Sequence, residues 1–485
     1  MKQNTRPTFN LLNKKLIVKI YKEALQILSI LGIEINNENV VKLLKEHDIK
    51  FTKENRALFT EEVIKKALKS TPSYFNLYNV TEKIAYEFYG NNCYFNPGSA
   101  ALNILDYSSQ KIKPATTNDY IDYVKVISQL DNIEIQSTAI IPSDIPDSVS
   151  DIYRLFLSLL YCEKPVVTGC FSANSFETMK ELQLIIRGTE EKLKKSPLTI
   201  FSCCPTSPLK WNYSTSQNLI DCAKYNIPVE FIAMPLSGFM APVTLVGTLI
   251  QHTAETLSGI VISQFANPGT PILYGGSPAI FDVRYETTPM GAIETMMIDC
   301  AYNEIGKWLR LPTQAYISFS DAKQLDAQAG LETGIGATLA ALSGINSISG
   351  PGMLDFESCQ SLEKLVIDNE ICGMAKRLIK GIEPKDDFPS FPIFQELVQE
   401  KNLIISDHTI KHIKEEHFSP GPVIDRKNLG RWRNDKSIEI GQRANKEVNN
   451  LIDKYDYDNY NEKLDKNIKK ELNDIIEIEG KKYNF

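Results

Sequence analysis

The chain has 485 residues, 43% of them apolar and 23% charged, with a formal net charge of −7 at pH 7. That is an ordinary globular composition. It lacks the basic stripe that nucleic-acid binding needs, and a core of this size requires neither disulfides nor metal to hold it. The nine cysteines are an odd count without paired C-x-x-C spacing; Cys203 and Cys204 are adjacent and the rest scattered. This pattern reads as reduced thiols in a cytoplasmic protein. The opening MKQNTRPTFNLLNKK has no apolar signal core. No stretch is long and apolar enough to span a bilayer. The richest, Leu245 to Phe265, is interrupted by Gln251, His252, Glu255 and Gln264 and reads as a buried helix.

Residues 15–70 repeat apolar positions at helical spacing in LIVKIYKEALQILSILGI, ENVVKLLKEH and EEVIKKALKS. Gly32 suits a left-handed C-cap ending the first helix. Residues 1–90 are therefore expected to form a helical N-terminal cap. From Cys93 the pattern changes to short β-rich runs alternating with longer helical ones. Strands are expected to begin at Cys93, Ile133, Pro165, Pro197, Pro228, Pro271, Pro312 and Ile345. Five open on proline, which a strand tolerates at its first position. Helical runs separate and follow them, from TNDYIDYVKVISQL to SLEKLVIDNEICGMAKRLI. Alternating strands and helices imply parallel pairing through right-handed crossovers. Eight units predict an α/β fold, a (β/α)₈ TIM barrel, over residues 91–383. The rival is a doubly wound open sheet. It would show a Gly-rich phosphate turn after the first strand, and NPGSAAL is not one. After Gly381 the alternation stops. EPKDDFPSFP reads as a linker, and residues 384–485 as a charged, solvated helical extension.

A barrel of this kind works at the C-terminal ends of its strands. The rim candidates are Asn96, Pro97 and Gly98; Ser143 and Asp144; Cys170 and Phe171; Cys203, Cys204 and Pro205; and Pro235, Gly238 and Phe239. They continue with Gly275, Gly276, Phe281, Asp282, Arg284 and Tyr285; Ser318 to Asp321 and Lys323; and Ser349 to Met353. None of the five histidines falls there, which argues against a Ser–His–Asp hydrolase and a histidine metal hydrolase. His408 and His412 stand at i, i+4 in SDHTIKHIKEEH, outside the barrel, where a surface or subunit-contact helix is the preferred reading over a zinc site. Cys170, Cys203 and Cys204 read as small buried hydrophobes in preference to a thiolate zinc site. No metal is therefore assigned. Lys323 is the candidate for a Schiff-base lyase, weighed against a solvated or salt-bridged lysine. Phe95, Phe171, Phe239, Phe281, Tyr285 and Phe319 offer ring faces that could hold a cation.

Several stretches resemble the trimethylamine methyltransferase family. The clearest is Ser320 to Glu383, with its opening SDAKQLDAQAGLE, its turn GPGML and its helix EKLVIDNEICGMAKRLIKGI. The HTIKH element from His408 and the RAN at Arg443 to Asn445 are similar in style. The resemblance implies a (β/α)₈ barrel that feeds methyl groups to cob(I)alamin on a separate corrinoid protein, with no tightly bound cofactor. Founding members use pyrrolysine. None is written in this chain, and its place falls near Leu331. The pyrrolysine-free branch is similar to glycine betaine methyltransferase and acts on quaternary amines such as betaines or carnitine. A quaternary amine leaves as a neutral tertiary amine, so no acid–base residue is assigned, and catalysis reduces to positioning and water exclusion. The expected substrate contacts are Phe95, Phe171, Phe239, Tyr285 and Phe319 around the ammonium. Arg284 and the backbone N–H groups from Gly350 to Gly352 would hold a carboxylate, and Glu357 would face the cation. For Arg284 the alternative is an ion pair with Asp282 or Glu286; for Glu357 it is a helix N-terminal carboxylate. Family habit implies a homo-oligomer. Two other functions compete: the Lys323 lyase, and a non-catalytic betaine-binding or corrinoid-docking subunit.

Overall fold

The computed structural model describes residues 6–98, 100–456 and 464–483. The first five residues of the expected N-terminal cap, and residues 457–463 and 484–485 of the charged tail, lie outside them. All eight expected barrel strands form: β1 (Tyr94–Asn96), β2 (Gln136–Ser137), β3 (Val166–Thr168), β4 (Thr199–Cys203), β5 (Val229–Phe231), β6 (Ile272–Gly276), β7 (Thr313–Tyr316) and β8 (Ser347–Ser349). They pair in parallel in chain order from β2 to β8, and β8 returns to β1. Between β1 and β2 the ring is closed by the Ile135 N–H donating to the Phe95 carbonyl at 3.2 Å. There Ser137 Oγ also donates to the carbonyls of Pro97 and Gly98 at 2.7 and 2.8 Å. The strand prolines use the acceptor they retain: the carbonyls of Pro165, Pro228, Pro271 and Pro312 each take an N–H from the preceding strand.

The bottom of the barrel is shut by a hairpin, Phe75–Tyr78 with Ala85–Phe88. Phe75 and Phe88 stack at 4.7 Å, and with Leu77 they pack on the inward residues Ile135, Val167, Ile200 and Leu273. The first 90 residues are thus not purely helical. Three helices form as expected, Lys14–Ile30, Glu38–Glu46 and Glu61–Ser70, and Gly32 follows the first with φ +68°. Between them Ile33–Ile35, Lys50–Phe51 and Arg56–Leu58 build a small sheet that also takes Lys210–Trp211 from the loop after β4. Strands of two or three residues are too short to show a period of two in the sequence.

Those N-terminal helices explain the apolar run at residue 245. Helix Leu245–Ala266 is buried on nearly every side because Lys14–Ile30 and Glu61–Ser70 cover its outer face. Its polar interruptions bond to nearby groups, except that His252 Nδ1 has no partner among the described residues. Glu255 accepts from the Leu209 N–H, Ser207 Oγ and Gln251 Nε2. His252 contacts the Gly275 carbonyl at 3.1 Å, and burial pushes its pKa down to about 3, which keeps it neutral. Among the described residues no helix is long and apolar enough to cross a membrane.

The C-terminal extension is helical but less solvated than its charge suggests. Helix Ile440–Lys454 packs Ala444 and Val448 against helix Leu362–Ile379, and Asn445 donates to Glu363 at 2.9 Å. Helix Lys466–Tyr483 lies on Asp147–Tyr161 and Ser175–Arg187 with Leu472 fully buried. Charge on one face left the packed face hard to read.

Candidate active site

Strand parity decides what enters the barrel. On β7 the run Gln314, Tyr316, Ser318 points one way and Ala315, Ile317, Phe319 the other. Tyr316 is 4% exposed and lines a cavity of about 210 Å³ at the C-terminal end of the barrel. On β4 and β5 the same parity brings in Ser202, Cys204 and Ile232, which line the cavity, with Glu230 below them. Ser202 Oγ donates to Glu230 Oε1 at 2.7 Å, while Oε2 has no partner among the described residues. Full burial pushes this carboxyl up to about 7.

The far wall is built from helix Asp147–Tyr161. Arg154, fully buried, donates to the Ser150 and Thr138 carbonyls at 3.3 and 2.9 Å and to Asp151 Oδ1 at 3.1 Å. Asp151 Oδ2 in turn accepts the Phe171 N–H at 2.7 Å. Phe171, 57% exposed, lines the cavity over the guanidinium.

Glu357 closes the cavity from the β8 side. It sits in a turn between the short strands Met353–Leu354 and Cys359–Gln360, where Asp355, Phe356 and Glu357 all have positive φ, 49°, 54° and 64°. Three consecutive non-glycine residues in the left-handed region store about 1–2 kcal/mol each, and such strain concentrates at functional sites. The turn aims the carboxyl at Gly98, whose missing side chain leaves it room: a Cβ there would lie 3.0 Å from Glu357 Oε1. Oε1 is shielded from water with no partner among the described residues, and desolvation, aided by the nearby charge of Asp321, raises the pKa to about 8. Glu357 is not a helix N-terminal carboxylate, since helix Leu362–Ile379 is capped by Ser361.

Of the expected contacts, only Phe171 and Glu357 line this cavity. Phe95 faces outward and is fully buried, with Lys376 Nζ of helix Leu362–Ile379 5.6 Å from its ring. Phe319 is buried in the core by the same parity. The N–H groups of Gly350 and Gly352 are already bonded, to the Asn96 carbonyl at 3.1 Å and to Asp368 Oδ2 at 2.7 Å, so neither is available to a carboxylate. Arg284 grips Asp282 with Nε and Nη2 at 3.0 and 2.5 Å, its side chain 75% exposed, and this pair holds the Asp282 carboxyl down at about 2. Phe239 and Phe281 stack on each other at 4.8 Å. With Tyr285 they belong to the outer loops after β5 and β6, which are joined by Leu236–Ser237 and Ala279–Ile280.

Lys323 lies off the cavity, its Nζ donating to the Asp321 carbonyl at 2.7 Å and pairing with Asp355 at 3.6 Å. Asp144 caps the helix after β1, accepting from the Thr117 N–H and hydroxyl. The thiols do not converge on one point: Cys170 and Cys204 line the cavity but Cys203 faces Asn218 outside it, and burial pushes Cys204 up to about 12. Leu331 is an exposed residue of helix Ala327–Ser343. Tyr316, Glu230 and Arg154 were missed. The lone Glu in the apolar run PVEFIAMP was the legible signal for one, and the alternation Gln314–Tyr316–Ser318 for another; nothing local marks Arg154.

A model of the family described as trimethylamine methyltransferase matches residues 1–482. The chain is 27% identical over 437 residues to trimethylamine methyltransferase MttB of Desulfitobacterium hafniense, covering 90% of this chain and 88% of that protein. It is 27% identical over 451 residues to the glycine betaine methyltransferase of another strain of that species, covering 93% of each. To MttB of Methanosarcina barkeri it is 29% identical over 449 residues, 91% of this chain and 90% of the other. Among solved structures it is similar to the Methanosarcina barkeri monomethylamine methyltransferase MtmB, with a TM-score of 0.54 at 13% identity over 92% of this chain and 89% of that one, a likeness that speaks for the fold alone. The match along nearly the whole length, on a (β/α)₈ barrel with its cavity at the C-terminal end, makes this chain a member of the trimethylamine methyltransferase family.

Proposed function

We propose that this methyltransferase moves a methyl group from a quaternary amine, glycine betaine or a related betaine or carnitine, to cob(I)alamin on a separate corrinoid protein, without pyrrolysine. The observation that carries this reading is Glu357, whose Oε1 has no partner among the described residues, facing a small cavity walled by the rings of Phe171 and Tyr316. A cavity of about 210 Å³ is below the ~300–1,000 Å³ of drug-sized sites, which suits a small metabolite. Aromatic faces and a carboxylate together hold an ammonium that cannot donate a hydrogen bond. A substrate carboxylate would take the guanidinium of Arg154, three of whose five N–H groups are engaged by the protein. Arg154 thus replaces Arg284 in that role.

Docked cob(I)alamin supplies the nucleophile. The protein's part is to fix the ammonium so that one methyl faces the open mouth and to keep water off the rest. The exposed side chains of Phe239, Val243, Val283 and Tyr285 lie on the loops after β5 and β6, at the barrel end that holds the cavity, and would meet the corrinoid protein. Exposed Phe388, Phe391, Phe394, Val398, Ile404 and Ile405 on the extension support a homo-oligomer, which light scattering on the eluting protein would test. The domain reading follows: residues 1–90 brace and plug the barrel, 91–383 carry the reaction, and 384–485 form the extension.

The deciding experiment mixes the protein with reduced corrinoid carrier and a panel of quaternary and tertiary amines, and follows formation of methylcob(III)alamin by absorbance. Methylation from one quaternary amine is expected. Binding of a betaine without transfer to an active carrier would move the function to a binding subunit instead.

A further inference from the structure

Outside the barrel, three side chains converge on the extension. His408 and His412 stand one turn apart on helix Asp407–Glu416, with ring centres 5.0 Å apart. Asp386, from the linker that follows the barrel, reaches between them. Its Oδ1 lies 3.2 Å from His408 Nδ1 and 2.6 Å from His412 Nε2. The three donor atoms all lie within 4.8 Å of one another. His412 keeps only 12% of its side chain exposed, and His408 Nδ1 is shielded from water without a well-formed hydrogen bond among the described residues.

We propose that Asp386, His408 and His412 bind a divalent transition metal, best Zn²⁺. Two imidazoles and one carboxylate are the donors such an ion prefers, whereas Mg²⁺ and Ca²⁺ want oxygen alone. Bonds of about 2.0–2.2 Å to a tetrahedral ion place its ligands roughly 3.3 Å apart, so closure needs only small side-chain shifts, and a water completes the set. Lys411 holds the other oxygen, Oδ2, at 2.9 Å. That leaves Oδ1 for the ion and gives the ligating carboxylate the outer hydrogen bond that such ligands have. The rival reading is a plain salt bridge between Asp386, Lys411 and protonated histidine.

The site has a structural use. Helices Phe391–Glu400 and Asp407–Glu416 bury no residue of their own. A segment so poor in apolar contacts gains its order from cross-links, and a metal would tie the linker to helix Asp407–Glu416. That helix is already moored to the barrel by Arg377, which bonds the Glu416 carbonyl at 2.9 Å.

The test uses the full chain, stripped with chelator and titrated with Co²⁺ while its visible d–d absorption is followed, with metal content read by mass spectrometry after Zn²⁺ loading. About one equivalent per chain is expected, with affinity falling roughly 100-fold or more in His408→Ala/His412→Ala. Asp386→Asn, which keeps the shape of the linker, should also lose affinity. Limited proteolysis between residues 384 and 420 should slow on adding Zn²⁺ to the parent protein and not to either variant. Identical uptake and spectra in the parent and the double variant would overturn the site, as would folded parent protein that takes up no saturable Co²⁺.

Discussion

The guanidinium carbon of Arg154 lies 4.9 Å from the centre of the Phe171 ring, and both residues line the same cavity. The ring is therefore held by a buried cation that Asp151 anchors, and it is presented to a ligand without needing to reorganise. A cation–π contact contributes about 0.5–2 kcal/mol. Phe171→Leu should raise KM for the quaternary amine by roughly 3- to 30-fold with kcat little changed, read by steady-state methyl transfer. An unchanged KM would remove Phe171 from the ammonium site.

Glu357 predicts a pH dependence of binding. With its pKa raised to about 8, the carboxyl is mostly protonated at neutral pH in the free protein. A quaternary cation favours the ionised form, so binding should release a proton. Affinity should then climb as pH rises toward about 8 and level off above it. Calorimetry in buffers of different ionisation enthalpy measures that proton directly. Glu357→Gln should abolish the release, flatten the profile and weaken binding about 10-fold. Proton release that persists in Glu357→Gln and vanishes in Glu230→Gln would shift the role to Glu230.

Lys323 should be dispensable. Its Nζ is committed to Asp321 and Asp355 away from the cavity. Lys323→Ala is expected to keep methyl transfer within about 2-fold, since a surface salt bridge contributes only ~0–1 kcal/mol. Borohydride with substrate should trap no adduct in the parent protein. A trapped adduct lost in the variant would restore the lyase.

The loops after β5 and β6 should govern the protein partner and not the amine. Val283→Asp and Tyr285→Ala, both at exposed positions, are expected to raise KM for the corrinoid protein several-fold while amine affinity holds, because interface anchors of this size contribute about 1–2 kcal/mol. Equal effects on both substrates would place these loops in the amine site.

Gly336 tests the barrel wall. It lies in helix Ala327–Ser343, and a Cβ there would come within 1.9 Å of the Ile317 carbonyl. Alanine favours a helix interior by about 1 kcal/mol over glycine, but overpacking against backbone costs ~1–3 kcal/mol or more. The clash wins. Gly336→Ala should lower Tm by several degrees and disturb the strand that carries Tyr316. A higher Tm would mean that the helix can move away at no cost.

Periodicity and proline placement sufficed for the eight strand–helix units, because each signal is local: a run of apolar residues bounded by Pro or Gly. The hairpin Phe75–Tyr78 with Ala85–Phe88 escaped, since its role as a plug exists only through Ile135, Val167, Ile200 and Leu273, which are distant in sequence. Rim residues could be named by position along the strand. Which of them face the cavity could not. A strand alternates at every residue, so Phe95 and Phe319 point away while their neighbours Asn96 and Ser318 point in. Tyr316 was lost because it ends the strand itself, just before the rim positions that begin at Ser318.

By itself the sequence determined the barrel, the end of it that holds the cavity, and a resemblance specific enough to imply methyl transfer, because these rest on patterns within each segment. Tertiary structure alone decided that Arg154 and not Arg284 meets the cavity, that the N–H groups of Gly350 and Gly352 are spent, and that Asp386 joins His408 and His412. Each of those outcomes depends on loop closure and hydrogen-bond partners set by the whole fold, for which a one-dimensional pattern carries no term.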